Sequence, residues 1–184
     1  FVAPIISAES ALAYDLESGT LMFQKNIDER RKIASISKLM TAMVIIDSHA
    51  LGEKVKVPKA ATQVEPVKIW LLTGEELTIE NLLYGLLIHS GNDAALALAI
   101  NDSQTENAFV TKMNAKAREL GLTNTHFTNA SGLDDAKSFS SARDVMKMGL
   151  KALQYDFIRK AVRIPKLDIF STDGKIKHAL ETTN

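Results

Sequence analysis

The apolar positions of this chain fall into segments whose spacing and end signals predict several helices, with short strands near both ends. Residues 11–16 and 21–25 flank a turn that contains Gly19, which predicts a β-hairpin. Residues 164–184 predict a second extended or hairpin region that turns at residues 172–174. Residues 55–58 predict one further short extended piece.

Helices are predicted between these strands. They cover residues 35–48, 78–89, 93–100, 105–120 and 141–153. Ser35 and Thr78 are candidate N-caps, and Gly121 is the stop signal of the fourth helix. A helical region flanked by antiparallel strands predicts an α+β fold.

Composition narrows the class of protein. With 184 residues and 46% hydrophobic content, the chain is long enough for one domain with a buried core. The 22 basic and 22 acidic residues cancel, so nucleic acid is not an expected partner. The chain has no cysteine, which excludes disulfides and thiolate sites, and its four histidines lack metal-ligand spacing. The sequence therefore predicts no metal and no cofactor.

The sequence was also searched for a membrane-spanning segment and for a secretory signal. No apolar run approaches the roughly 18 residues of a membrane span. Residues 1–4 lack the basic region that opens a secretory signal, so we expect a mature or trimmed form.

The segment Ser35-Ile36-Ser37-Lys38 places a hydroxyl and an amine three residues apart at the start of an apolar helix. Residues at i and i+3 share a helix face, so the Lys38 amine can reach the Ser35 oxygen. A serine needs a base to become a nucleophile, and a desolvated lysine can supply it. Ser35 and Lys38 are therefore a candidate catalytic pair, although chance also produces this spacing.

A second polar group, Ser90-Gly91-Asn92, interrupts two apolar helical segments. Such residues commonly cap helices, and a capping turn is one interpretation of this break. The other is functional: Ser90 would relay a proton to the leaving group, and Asn92 would bind a substrate amide. Both interpretations remain open at this level.

Together with their flanks, these motifs resemble a known family. The pair of motifs matches the first two signatures of the serine penicillin-recognising enzymes. Segments 35–42, 86–95, 121–133 and 139–144 resemble D-alanyl-D-alanine carboxypeptidases, the low-molecular-mass penicillin-binding proteins. The resemblance covers essentially the whole chain. It implies a DD-peptidase/β-lactamase-like fold, with a five-stranded antiparallel sheet and helices on both sides, and an extracytoplasmic location.

The resemblance also implies residue roles. Ser35 would attack the carbonyl between the two terminal D-alanines of a peptidoglycan stem peptide. Lys38 would accept the Ser35 proton, although the identity of the base is disputed in this superfamily. Ser90 would carry the proton to the departing D-alanine, and Asn92 would bind the substrate. β-Lactam antibiotics would acylate Ser35 in the same way.

The family's third signature, Lys-Thr-Gly on a strand, does not occur in this chain. In relatives it follows a segment that resembles residues 178–184. We therefore expect residues 1–184 to be the N-terminal portion of one catalytic domain, without its C-terminal sheet strands and impaired in activity. A complementary C-terminal fragment or a second copy is a candidate partner for its open sheet edge.

Three other functions compete with the carboxypeptidase interpretation. A class A β-lactamase usually carries Ser-Asp-Asn as its second motif and a Glu-x-x-x-Asn element later. We find no such element after Asn92, which argues against rapid β-lactam hydrolysis. A D,D-endopeptidase and a catalytically silent domain that binds peptidoglycan or a partner both remain alternatives.

Overall fold

The computed structural model describes residues 5–133 and 135–183. Residues 1–4, on which the signal-peptide prediction rests, lie outside this range, as do Asp134 and Asn184. The strands are β1 (Ala11–Tyr14), β2 (Leu21–Lys25), β3 (Lys54–Lys56), β4 (Glu76–Thr78), β5 (Lys166–Phe170) and β6 (Lys177–Glu181). The helices are α1 (Ser37–Ser48), α2 (Lys59–Thr62), α3 (Ile79–Ile88), α4 (Asn92–Ser103), α5 (Glu106–Glu119), α6 (Ala142–Ala152) and α7 (Asp156–Ala161).

Helix α1 is the centre of the core. Its sequence is apolar on nearly every side, as expected for a helix that other elements surround. It packs against α3, α4, α5 and α6, and Met40, Met43 and Ile45 are fully buried. The first candidate catalytic motif therefore lies at the start of a deeply packed helix.

The strands form three two-stranded antiparallel sheets among the described residues. The pairs are β1–β2, β3–β4 and β5–β6, which confirms both predicted hairpins. The helical region with antiparallel sheet predicted from the sequence is thus present. Within residues 5–133 and 135–183, however, the strands are separate pairs and not one five-stranded sheet.

Helix starts follow the sequence signals with one exception. Thr78 accepts a hydrogen bond from the Asn81 amide and caps α3, as predicted. The N-cap assignment of Ser35 is wrong: Ser35 lies in a one-turn 3-10 helix, Ala34–Ile36, and α1 begins at Ser37. Three elements that the sequence pattern did not predict are β4, α2 and α7, which are three to six residues long. No helix in the described ranges combines the length and hydropathy needed to cross a membrane.

Candidate active site

Ser35 sits on a strained turn that presents it to solvent. The preceding residue, Ala34, has a φ of 45°, in the left-handed region that a residue with a Cβ rarely adopts. The turn lifts Ser35 out of the packed helix, and the residue is exposed although α1 begins two positions later. Its hydroxyl is therefore accessible to a ligand.

Lys38, one turn further along, is buried with 3% of its surface exposed. Its Nζ lies 3.0 Å from Ser35 Oγ, which confirms the predicted proximity of the pair. Two more oxygens surround it: Asn92 Oδ1 at 2.8 Å and the Ser131 carbonyl at 2.7 Å. All three partners are uncharged groups.

In this environment the Lys38 amine binds a proton less strongly than an ordinary lysine does. Burial lowers the pKa of the Lys38 ammonium from 10.5 to about 8. At pH 7 about a tenth of such amines are neutral, against about one in 3,000 for a lysine with the ordinary pKa. Lys38 is thus available as a base near neutral pH.

The position of Asn92 argues against the capping interpretation of the Ser90-Gly91-Asn92 break. Gly91 is the N-cap of α4, and it has no side chain with which to cap that helix. Asn92 instead directs Oδ1 to Lys38 and donates from Nδ2 to the Glu65 carbonyl, 3.1 Å away. Its own amide donates to the Val67 carbonyl at 2.8 Å. The side chain therefore belongs to the site and is not a cap.

The next residue, Asp93, fastens the neighbouring loop. Its carboxylate is fully buried and accepts hydrogen bonds from the backbone amides of Ile69, Leu71 and Ala94, all at 2.9–3.1 Å. Residues 69–71 are thereby tied to the start of α4. Asp93 fixes the backbone beside Asn92 without contacting the lysine.

Sequence reasoning missed Ser131, which contributes a backbone oxygen to the site. It lies in a turn that Asn129 closes, since Asn129 Oδ1 accepts a hydrogen bond from the Gly132 amide at 2.7 Å. Thr41 of α1 holds the turn in place by donating to the Ala130 carbonyl at 2.7 Å. The only sequence signal was that residues 121–133 formed part of the family resemblance.

Ser90 lines the same cavity as Ser35 and Lys38. It has a φ of 60° and lines an open cavity of about 290 Å³ together with Ser35 and Lys38. In the part of the chain that the structure describes, no hydrogen bond joins its hydroxyl to Ser35 or Lys38. Its proton-relay role stays a prediction.

A family model supports these observations. The model of the D-alanyl-D-alanine carboxypeptidase family matches residues 2–182. D-alanyl-D-alanine carboxypeptidase DacF of Bacillus subtilis is 39% identical over 158 residues, which cover 83% of this chain and 41% of that protein. The D-alanyl-D-alanine endopeptidase of Escherichia coli is 38% identical over 157 residues, which cover 84% of this chain and 50% of that protein.

The fold is likewise similar to a solved structure. The crystal structure of the Streptomyces K15 DD-transpeptidase superposes with a TM-score of 0.91 at 30% identity, covering 100% of this chain and 76% of that one. The chain spans half or less of the two curated relatives named above, at 41% and 50% of their lengths.

Proposed function

We propose, since the chain belongs to the D-alanyl-D-alanine carboxypeptidase family, that the protein is a serine D,D-peptidase. It removes the terminal D-alanine from peptidoglycan stem peptides through an acyl-enzyme on Ser35. The proposal rests on the family and on the geometry of Lys38, which is suited to activating that serine.

The contacts of Lys38 carry the proposal. A neutral amine has two N–H donors and one lone pair. Asn92 Oδ1 and the Ser131 carbonyl are acceptors without a proton, so they take the two donors. The lone pair then faces the third neighbour, Ser35 Oγ, at 3.0 Å. In this state the Ser35 hydroxyl donates to Lys38, as nucleophile activation requires.

The reaction follows from this arrangement. Ser35 Oγ bonds to the carbonyl carbon between the two D-alanines while its proton passes to Lys38 Nζ. The tetrahedral intermediate then collapses, the C–N bond breaks, and Ser90 passes the proton to the departing amine. Water hydrolyses the ester and restores Ser35. A substrate contact of Asn92 remains part of the proposal, although its carboxamide already bonds Lys38 and Glu65 in this structure.

β-Lactams mimic the reacting amide, so they are expected to acylate the same serine. The resulting ester is expected to be hydrolysed slowly. The substrate is a cell-wall peptide, which places the proposed activity on the outer side of the bacterial cytoplasmic membrane. Both statements depend on the carboxypeptidase assignment.

Labelling with a fluorescent penicillin, followed by mass mapping of the adduct, tests the proposal. An adduct on Ser35 that Ser35→Ala abolishes is the expected result. Ser37→Ala is the matched control, because Ser37 lies two residues away with a buried side chain, and it should label normally. Absence of an adduct in the wild-type protein, or an adduct elsewhere, would overturn the proposal.

A D,D-endopeptidase is the second candidate, because one relative with that name is 38% identical to this chain. The same catalytic pair would then cleave a cross-link between stem peptides. Release of free D-alanine from a linear pentapeptide, compared with cleavage of a cross-linked dimer, separates the two activities. A protein that labels with penicillin but cleaves neither substrate would instead be the catalytically silent binding domain.

A further inference from the structure

A buried acid–histidine pair lies behind the loop that borders the site. His178 of β6 and Glu75, which precedes β4, are 5% and 7% exposed. His178 Nε2 lies 3.0 Å from Glu75 Oε2, and His178 Nδ1 lies 2.9 Å from the Ile69 carbonyl. The pair therefore joins the β5–β6 hairpin to the loop at residues 69–75.

The partners of the ring define its protonation state. A carbonyl oxygen and a carboxylate oxygen are both acceptors, so each ring nitrogen must carry a proton to bond them. That state is the imidazolium. The hydrogen bond to Glu75 accordingly raises the pKa of His178 above its ordinary 6.5, in spite of burial.

Other charges face the ring from neighbouring elements. The Asp93 carboxylate of α4 also favours the imidazolium. Lys68 and Lys177 line the adjoining surface cavity with His178, and their positive charges oppose the imidazolium; His89 lines the same cavity. The carboxylate in direct contact is the nearest of these groups, so it dominates.

The pair connects to the catalytic lysine through the backbone. The Ile69 carbonyl accepts from His178, while the Ile69 amide donates to Asp93 Oδ1 at 3.1 Å. Asp93 directly follows Asn92, and Asn92 Oδ1 accepts a hydrogen bond from Lys38 Nζ. Glu75 Oε1 also accepts from the Leu72 amide, so the loop is held at both ends.

We propose that Glu75 and His178 are positioning residues for acylation of Ser35. Paired, they hold residues 69–72 against Asp93 and thereby keep the Asn92 carboxamide on the Lys38 amine. Loss of the imidazolium proton leaves one of the two acceptors facing a lone pair, and the loop loses a support. The effect on activity rests on the proposed function, whereas the effect on the Asn92–Lys38 contact does not.

The kinetic experiment compares His178→Gln and Glu75→Gln with the whole wild-type protein. Its readout is the second-order rate constant for labelling of Ser35 by a fluorescent penicillin, measured across pH. We expect both variants to react at least about tenfold more slowly near neutral pH, because a displacement of about 1 Å at a reacting group can cost about 10²-fold.

Two variants are matched controls. Glu76→Gln changes the next carboxylate, which contacts Thr172 in the turn of the same hairpin at 2.7 Å and Lys54 of β3 at 3.0 Å. His126→Gln removes an exposed histidine that has no contact with this loop. Both controls should label within about twofold of wild type, since surface changes of this kind are nearly neutral.

The pH profile separates positioning from a general loss of structure. The ratio of the wild-type rate to the His178→Gln rate should fall as pH rises through the His178 pKa, which NMR of the ring protons gives. A general structural defect would give a ratio that does not depend on pH. A ratio that does not change with pH, or a ratio near one, would overturn the inference even if penicillin labels Ser35 of the wild-type protein normally.

A second readout does not require activity. The side-chain amide signals of Asn92 and the pKa of Lys38, both followed by NMR, should shift in His178→Gln and not in His126→Gln. Unshifted signals would overturn the inference, including in a protein that never reacts with penicillin. If circular dichroism shows that His178→Gln is unfolded, Glu75→Gln and the pH titration of the wild-type Asn92 signals decide the question in the same way.

Discussion

Gly132→Ala tests how closely the turn that carries the Ser131 carbonyl must approach the nucleophile. Gly132 has a φ of +80°, and a Cβ built on it would lie 1.9 Å from the Ala34 carbonyl oxygen and 2.5 Å from the Ala34 carbonyl carbon. Both atoms are backbone, so no side-chain rotation relieves the overlap. The turn or the strained segment before Ser35 has to move.

The expected cost has two parts. A left-handed backbone conformation costs a residue with a Cβ roughly 1–2 kcal/mol. Overpacking in a tightly fitted site adds typically about 1–3 kcal/mol. The free energy of unfolding should therefore fall by about 2–5 kcal/mol, and the Ser131 carbonyl should move from Lys38. A displacement of about 1 Å there would slow acylation of Ser35 by about 10²-fold.

Gly121→Ala is the matched control, because Gly121 has a similar φ of +65° and no atom within 4 Å of a built Cβ. It should lose only the conformational part, about 1–2 kcal/mol, and should label within about twofold of wild type. Urea unfolding and penicillin labelling measure the two effects. Equal losses of stability and labelling in the two variants would refute the argument that contact with Ala34 matters.

Three other predictions address the environment of Lys38. Acylation of Ser35 should rise with pH through a midpoint near pH 8 and level off above about pH 9, since the neutral amine with its pKa of about 8 is the reactive form; a flat profile between pH 6 and pH 9 would contradict this. Asn92→Asp should move the midpoint of this pH profile to higher pH, because a carboxylate would stabilise the Lys38 ammonium; an unchanged midpoint would show that the side chain at position 92 does not act on Lys38 through its charge. Thr41→Val removes the donor to the buried Ala130 carbonyl and should cost about 1–3 kcal/mol by urea unfolding, and a change below about 0.5 kcal/mol would argue against it.

Features encoded over a few residues were predictable from the sequence. The Thr78 cap, the hairpin turns and the pairing of Ser35 with Lys38 depend on spacings of three or four positions, which a sequence shows directly. The short elements β4 and α7 were missed, because three or six residues give too little periodicity. They form where other segments supply their partners, as β3 does for β4.

The rest of the site was not predictable for a different reason. The Ser131 carbonyl lies 93 positions from Lys38 in sequence, and a backbone oxygen has no residue type that could reveal it. The Glu75–His178 pair joins residues 103 positions apart. The sequence showed which side chains could react, whereas burial and long-range backbone contacts set the pKa of Lys38.

The order of Asn92 and Asp93 leaves the low pKa of the buried Lys38 amine unopposed by a carboxylate. A carboxylate in contact with Lys38 would stabilise the ammonium and raise its pKa, which would remove the base. The acid next in sequence is turned away, and three backbone amides satisfy its oxygens. The position that reaches Lys38 carries a carboxamide, which accepts a hydrogen bond without adding a full charge. Exchanging the two residue types would therefore place a carboxylate beside the Lys38 amine. It would also remove the carboxylate that binds the amides of residues 69 and 71. The order of these two residues therefore matters as much as their presence.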